Sequence, residues 1–501
     1  MTDPLQPPQP PQQPPQPAET GERVREVDPR RWQALTVCLI AGFMTLLDIS
    51  IVNVALPSIR DALEATPSDL AWILSGYALA FGLVLVPAGR LGDARGRRRM
   101  FLAGLVVFIV ASVAAGIAPS ASFLAGARIL QGIGSGMLVP QVAGLIQQLF
   151  RGEERGRAFG RFGSVVAVST AVGPAVGGLI IVLAGREDAW RWVFYVNVPI
   201  CVVALVLATR LLPTDPGHGR MESLDPVGVG LLGVGLFLLL SPIVESERAG
   251  DTPELWLMVP AGVAVLGGFI AWERHHRRRG RAPLVDLDLW GRRSYAVGVV
   301  LALLYFAGFT SIFFVLTLYL QSGLGYSALL AGLTTTPFAV GGAVASSYGG
   351  RLVTRYGRAL VVVGLAFTVV GLVAADVVVD LVDSNVGLAL GLPLLLAGVG
   401  SGLVITPNQT ITLSEVPVRG GGSAAGVLQT SQRIGSAIGV AAVTAVFFAG
   451  LESRGWADAL SRGLRLAAAF AGAGLVLGLL DLGRPGRPVR PVAEPAEAYG
   501  D

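Results

Sequence analysis

The sequence predicts an all-α polytopic membrane protein, and three observations carry that prediction. Of 501 residues, 52% are hydrophobic and only 14% charged, against about 25% charged in an ordinary soluble domain. The apolar residues gather in repeated runs of roughly 20, the length that crosses a bilayer as a helix. The nonapeptide Gly89–Arg97, GRLGDARGR, returns 261 residues later as Gly350–Arg358, GRLVTRYGR, with Gly, Arg, Leu, Gly and Arg at the same offsets. Each copy follows one apolar run and precedes another, so two related halves share one orientation in the membrane. A barrel is excluded, because the runs are long and uniformly apolar instead of alternating.

In chain order, residues 1–31 are Pro/Gln-rich and then charged, which reads as a disordered tail with no cleavable signal. Fourteen spans follow, near 33–57, 70–89, 99–118, 121–149, 159–184, 192–212, 224–244, 255–273, 294–321, 328–350, 359–380, 386–413, 422–450 and 464–482. All 38 basic residues are arginine. With the N-terminus inside, 29 fall on cytoplasmic segments and 7 on outer ones, while Arg128 and Arg433 lie within spans. That asymmetry obeys the positive-inside rule, and an even span count places both termini in the cytoplasm. The two GRL copies, expected as loops, then stand eight crossings apart, where two plain six-span halves would give six. Residues 213–293 supply the two additional helices and a loop, 274–293, with seven arginines. The expected divisions are a cytoplasmic tail 1–31, a six-helix bundle 32–212, the insert 213–293, a second six-helix bundle 294–482 and a cytoplasmic tail 483–501.

The composition excludes several chemistries. Without lysine there is no Walker A loop and no Schiff base. Cys38 and Cys201 each lie in an apolar run and read as small core residues. His218, His275 and His276 fall in polar segments, so no span offers a metal-ligand set. With no His, Lys or paired carboxylate in the spans, an embedded enzyme is not expected, nor a cofactor, a metal or a nucleic-acid partner. Gly228-x-Gly230-x-x-Gly233 matches a dinucleotide pattern but lies inside a span with no preceding strand. Asn408-Gln-Thr410 matches a glycosylation sequon but is likewise inside a span.

A few residues carry chemistry. Asp48 is an ionisable carboxylate in the middle of span 1; charged and facing lipid it costs at least about 2.5 kcal/mol. Burial raises a carboxylate pKa and a nearby arginine lowers it, so such a site switches with its surroundings, as proton coupling requires. Its bland alternative is a carboxylate that merely pins span 1. By helical rise, Asp48 lies about 8 Å and Arg128 about 9 Å from the outer face, so the two can pair; alternatively Arg128 organises polar backbone or water. In the first GRL copy, Asp93 can hold an arginine or a helix N-terminus in one state and release it in another, or the segment only fixes topology. The second copy has Thr354 at that position, which makes any such latch asymmetric. Gly173, Pro174, Gly177 and Gly178 allow close helix approach and a bend in span 5. Arg433 either lines the interior or snorkels to the inner face. Asp376 and Asp380 sit at the outer end of span 11, as surface carboxylates or as attractors of cations. Candidate cavity-lining groups are Asn53, Gln131, Tyr305, Phe309, Phe313, Tyr319, Gln321, Asn408, Gln409 and Arg433.

Taken in order, LDISIVNVALPSI (Leu47–Ile59), GRLGDARGRR (Gly89–Arg98), Arg128-Ile-Leu-Gln131-Gly132-Ile-Gly134, Gly173-Pro174-Ala-Val-Gly177-Gly178 and WRWVFYVNVP (Trp190–Pro199) resemble the major facilitator superfamily. Within it they resemble the fourteen-span drug:proton antiporter branch (EmrB/QacA-like), over roughly residues 33–482. Ser50 departs from the threonine of many relatives but keeps the hydroxyl. The resemblance implies the major facilitator fold and a proton-coupled exporter of lipophilic or cationic small molecules, a multidrug efflux antiporter working by alternating access. Its energy source is the proton gradient, without cofactor or ATP. It assigns proton coupling to Asp48 and Arg128, gating to Gly89, Arg90, Gly92, Asp93, Gly96, Arg97 and Arg98, and the antiporter motif to Gly173, Pro174, Gly177 and Gly178. A dedicated exporter of one native metabolite or antibiotic, or an uptake symporter, is the alternative. The implied partners are a small-molecule substrate, protons and the lipid bilayer, with no adaptor protein by default. The arginine-only, Ala/Gly/Val-rich composition points to a GC-rich bacterial genome and hence to the plasma (inner) membrane.

Overall fold

The computed structural model describes residues 29–483, apart from 186–187, 215–224, 245–252, 280, 282 and 383. Residues 1–28 and 484–501 of the predicted tails, and His218, lie outside the described residues, and Arg31 of the first tail already begins α1. The regular elements among the described residues are helices: α1 Arg31–Leu63, α2 Pro67–Arg95, α3 Arg97–Gly116, α4 Ala121–Leu149, α5 Gly152–Ala184, α6 Ala189–Tyr195 and α7 Asn197–Leu211. After these come α8 Pro226–Val244 and α9 Met258–Arg278, then α10 Arg293–Leu318, α11 Ala328–Tyr356, α12 Arg358–Leu381, α13 Val386–Ala389, α14 Gly391–Thr412, α15 Gly421–Arg454 and α16 Trp456–Leu482. Short connections force neighbours to run antiparallel. One such start is α2, where Thr66 and Asp69 form a reciprocal capping box ahead of Pro67.

Twelve helical segments among the described residues are long and apolar enough to cross a membrane, against the fourteen expected. The two that are not among these twelve are α5 and α8; several side chains within α5 lie outside the described residues, and the described apolar run of α8, Pro226–Pro242, is short. The GRL copies also differ from expectation. They are not loops: residues 89–95 end α2 and residues 350–356 end α11. Only Gly96 and Gly357 interrupt the helices, at φ 105° and 52°. That left-handed region favours glycine, which explains the repeated Gly before each terminal arginine.

Helices α1–α7 pack together, with α4 against α2 and α3, and α1 against α5 and α7. Helices α10–α16 pack together likewise, with α14 against α11 and α12, and α15 against α10 and α16. The two groups meet along two seams, α2 on α15 and α5 on α11. Both seams begin at the first glycine of a GRL copy. A methyl group on Gly89 would lie 2.3 Å from the Gly422 carbonyl oxygen, and one on Gly350 2.2 Å from that of Gly156. Backbone therefore touches backbone at equivalent places, as small residues permit in membrane helices. The pair α8 and α9 lies outside the α2–α15 seam: Leu232, Leu236 and Phe269 pack with Val86 of α2 and with Val427 and Ile434 of α15.

Close helix approach elsewhere is equally intolerant. A methyl on Gly439 of α15 would sit 1.8 Å from the Ala307 carbonyl oxygen, whereas one on Gly472 of α16 would meet nothing within 4 Å. Overpacking of this kind costs about 1–3 kcal/mol. Gly439→Ala is expected to lower the Tm of the purified protein clearly and Gly472→Ala to leave it unchanged, as read by thermal unfolding in detergent.

Candidate functional site

The site is built around a carboxylate that the apolar helix α1 carries into its own middle. Asp48 and Arg128 are both fully buried, at 0% and 1% exposure, and Arg128 Nη1 donates to Asp48 Oδ2. Further hydrogen bonds surround the pair. Asn197 of α7 donates to Asp48 Oδ1 at 2.7 Å, and Gln131 Nε2 reaches the same oxygen at 3.4 Å and Ser112 of α3 at 2.8 Å. The guanidinium also donates to Gln131 Oε1 at 2.9 Å and, through Nε, to the Ile73 carbonyl of α2 at 3.1 Å. Its carbon lies 4.3 Å above the Tyr77 ring, a cation–π contact. The Tyr77 hydroxyl in turn donates to Thr45 O at 3.0 Å and accepts from Ser135 Oγ at 2.7 Å. Five helices, α1, α2, α3, α4 and α7, thus converge on one ion pair.

The glycines of the span 5 motif seat α5 beside this site. A methyl on Gly173 would meet Ser50 Cβ at 2.3 Å and one on Gly177 would meet Ile51 at 2.9 Å, two and three residues along α1 from Asp48. Gly178 faces open space, and the Pro174 side chain lies outside the described residues.

At the other end of α2, about 30 Å from Ile73 by helical rise, Asp93 closes the first seam. It accepts the Gly422 amide at 3.0 Å and the Ser423 amide at 2.8 Å, N–H groups in the first turn of α15 that have no acceptor within that helix. Arg97 donates to Asp93 Oδ1 at 2.8 Å, to the Gly144 carbonyl at 2.5 Å and to the Val418 carbonyl across the seam. Gly92 leaves room for Gln141, and Arg98 donates to the Thr209 carbonyl. Arg90 lies within electrostatic reach of Glu273 in α9. In the second copy, Arg358 stays within its own group: it donates to Asn408 Oδ1 at 2.6 Å and Asp481 Oδ2 at 3.2 Å. Thr354 donates only to its own helix, at Arg351 O.

Several predicted cavity residues take other places. Gln131 is a buried hydrogen-bond partner of Asp48, not a free lining group. Asn408 bridges Arg358 and the Gly298 carbonyl, at 2.6 Å and 2.8 Å, near the end of α14. Asn53 and Gln321 are exposed, Gln409 and Tyr319 buried. Tyr305 stacks on Phe309, which lines a small cavity with Phe313, Phe338 and Ser401 beside the α5–α11 seam. Asp376 and Asp380 are both held by Arg465, at 2.8 Å and 3.3 Å, so a single guanidinium bridges the outer carboxylates. Arg433 lies over the Phe81 ring at 4.4 Å. It does not snorkel, because Phe81 is in α2 near Tyr77. The residues that sequence reasoning missed are Asn197, Tyr77, Ser112 and the α15 amides. Asn197 had a signal, as the one amide in WRWVFYVNVP; the amides of Gly422 and Ser423 had none.

Comparison with known proteins identifies the family. The family model of the Major Facilitator Superfamily matches residues 38–440. The chain is 39% identical over 433 residues to a probable actinorhodin transporter of Streptomyces coelicolor, covering 86% of this chain and 74% of that protein. It is 35% identical over 422 residues to a puromycin resistance protein of Streptomyces alboniger, covering 84% and 82%. It is 30% identical over 415 residues to a tetracenomycin C resistance and export protein of Streptomyces glaucescens, covering 82% and 75%. Among solved structures, the proton:xylose symporter XylE superposes with TM-score 0.64 at 16% identity, covering 90% of this chain and 95% of that one. The human organic anion transporter MFSD10 superposes with TM-score 0.65 at 17% identity, covering 89% and 99%. At such identities these two likenesses show the fold alone.

The buried pair makes a stability prediction. Removing one partner leaves an uncompensated buried charge, worth about 3–5 kcal/mol. Arg128→Met is expected to lower the Tm sharply, and adding Asp48→Leu to recover most of that loss. Thermal unfolding of both single variants and the double variant in detergent measures the coupling.

Proposed function

This chain belongs to the Major Facilitator Superfamily and is a multi-pass membrane transporter, not an enzyme; we propose that it is a proton-coupled exporter of lipophilic small molecules of the antibiotic kind. The sequence reading extends that class to cations and to multidrug efflux. The curated relatives named for actinorhodin, puromycin and tetracenomycin C support an antibiotic-type substrate. In this reading the chain crosses the bacterial plasma membrane fourteen times. Helices α5 and α8 join the twelve apolar segments, which puts both GRL copies and both termini on the cytoplasmic side. Support comes from α5, a 33-residue helix packed against both α1 and α11, and from the arginine asymmetry.

One observation carries the mechanism. The Asp48–Arg128 pair holds the α2 backbone at Ile73, and the same helix carries Asp93 at the seam. While Asp48 is ionised, its charge is matched by Arg128 and the amides of Asn197 and Gln131. A proton arriving on Asp48 removes that charge and leaves the guanidinium buried without a counter-ion, which is unfavourable in an apolar interior. The network then relaxes, and α2 shifts as a rod. Asp93 lets go of the α15 amides, the cytoplasmic seam parts, and the halves rock to the other access state. Loss of the proton re-forms both contacts. Uptake and release on opposite sides of the membrane couple the cycle to the gradient.

Asp48→Asn is the test. In proteoliposomes with an imposed pH gradient, the wild type should accumulate a lipophilic antibiotic uphill and the folded Asp48→Asn protein should not. Full uphill accumulation by Asp48→Asn would refute the assignment.

A further inference from the structure

The α2–α15 seam carries a cation that the proton-coupling mechanism does not use. Arg433 stands 12 residues beyond Gly421, the start of α15, which is about 18 Å along the helix and near mid-membrane. Among the described residues, no carboxylate or carbonyl accepts a hydrogen bond from it; its guanidinium lies 4.4 Å above the Phe81 ring. The acids of neighbouring helices are committed elsewhere: Asp48 to Arg128 and Asp93 to Arg97 and the α15 amides.

Arg433 is also not alone. Gly422, Gly426, Gln429 and Arg433 recur every three or four residues and so share one face of α15. That face is turned to α2, because Gly422 touches Gly89 and Gly426 touches Leu85. Gln429 is only 5% exposed, yet neither its amide nitrogen nor its amide oxygen has a hydrogen-bond partner. The adjoining Thr430 hydroxyl, 7% exposed, is likewise unpartnered. A buried amide without partners is costly and calls for a missing one. Opposite, Phe81 and Tyr77 lie with ring planes only 5° apart; both rings are buried, with Arg433 over a face of the first and Arg128 over a face of the second.

We infer that this face of α15 binds an organic anion, with Arg433 taking its carboxylate or phenolate, Gln429 donating a further hydrogen bond, and the Phe81–Tyr77 pair packing an aromatic ring. The inference rests on the exporter reading and narrows its substrate class to lipophilic aromatic acids. An arginine fork suits a planar carboxylate, and an aromatic face suits an aromatic skeleton. A lipophilic cation meets the opposite situation. The Asp48–Arg128 pair is neutral as a whole, so the uncompensated charge at this level is the positive one on Arg433.

Two dyes with the same xanthene ring and opposite charge test this: fluorescein, an anion at neutral pH, and rhodamine 123, a cation. Binding to the full-length protein in detergent is read by fluorescence anisotropy with no proton gradient. Fluorescein should bind at least tenfold more tightly than rhodamine 123. Arg433→Gln should weaken fluorescein at least tenfold, and Arg433→Lys should recover part of the loss. Gln429→Leu keeps the charge and should weaken fluorescein three- to tenfold, which supplies a second reading if Arg433→Gln does not fold. Equal or tighter binding of rhodamine 123, no fluorescein binding by the wild type, or an unchanged fluorescein Kd in folded Arg433→Gln would each overturn the assignment. Because no gradient is present, this result stands or falls apart from proton coupling. Acid binding without proton-driven export sinks only the coupling, and export that prefers rhodamine 123 sinks only the acid site.

Discussion

A single carboxylate in an apolar helix sets the terms for half of this molecule. Asp48 has no water to solvate it, so protein must supply every compensating group. It does so with a guanidinium, two amides and the helices that bring them. Arg128 comes from α4, Asn197 from α7 and, through Gln131, Ser112 from α3. Arg128 in turn anchors the α2 backbone at Ile73 and packs on Tyr77. The cost of leaving any of these groups unmatched fixes the positions of five helices relative to one another. The same arrangement is sensitive to one proton, since neutralising Asp48 unbalances everything assembled around it.

The seams translate that sensitivity across the molecule. Gly89 against Gly422 and Gly350 against Gly156 are equivalent contacts in two related halves, yet only the first is latched by an acid. The helix starts explain the difference. The first turn of α5 already holds Glu153 and Glu154, which suit the positive end of its dipole, whereas α15 opens with no acid in its first turn. Asp93, reaching from the other half, supplies what α15 lacks. A carboxylate at Thr354 would add a third negative charge to the start of α5. The asymmetry between the two nonapeptides is thus an electrostatic consequence of what each one faces.

Much of this was legible in the amino-acid string. The spans follow from apolar runs, the two halves from the repeated nonapeptide, and the matching depths of Asp48 and Arg128 from helical rise. Other parts were not legible, for identifiable reasons. Period and length do not say which side of a helix meets which neighbour, so Gln131 and Asn408 look like cavity groups in the sequence, though one serves Asp48 and the other Arg358. Glycine and charge at residues 89–98 look like a loop, but helix continues through them because backbone bonds in or near a membrane are best kept internal. The partners of Asp93 are backbone amides, which carry no side-chain signature. Twelve segments among the described residues are long and apolar enough to span, against the fourteen expected; α5 and α8 make the difference.

Infrared difference spectroscopy of the reconstituted protein, stepped from alkaline to acidic pH, observes the central event directly. Protonation of Asp48 should appear as the carbonyl stretch of a buried carboxylic acid, together with loss of carboxylate absorption, and should be missing from Asp48→Asn. The same band persisting in Asp48→Asn, or no buried carboxylic acid forming in the wild type across the pH range of transport, would contradict this account.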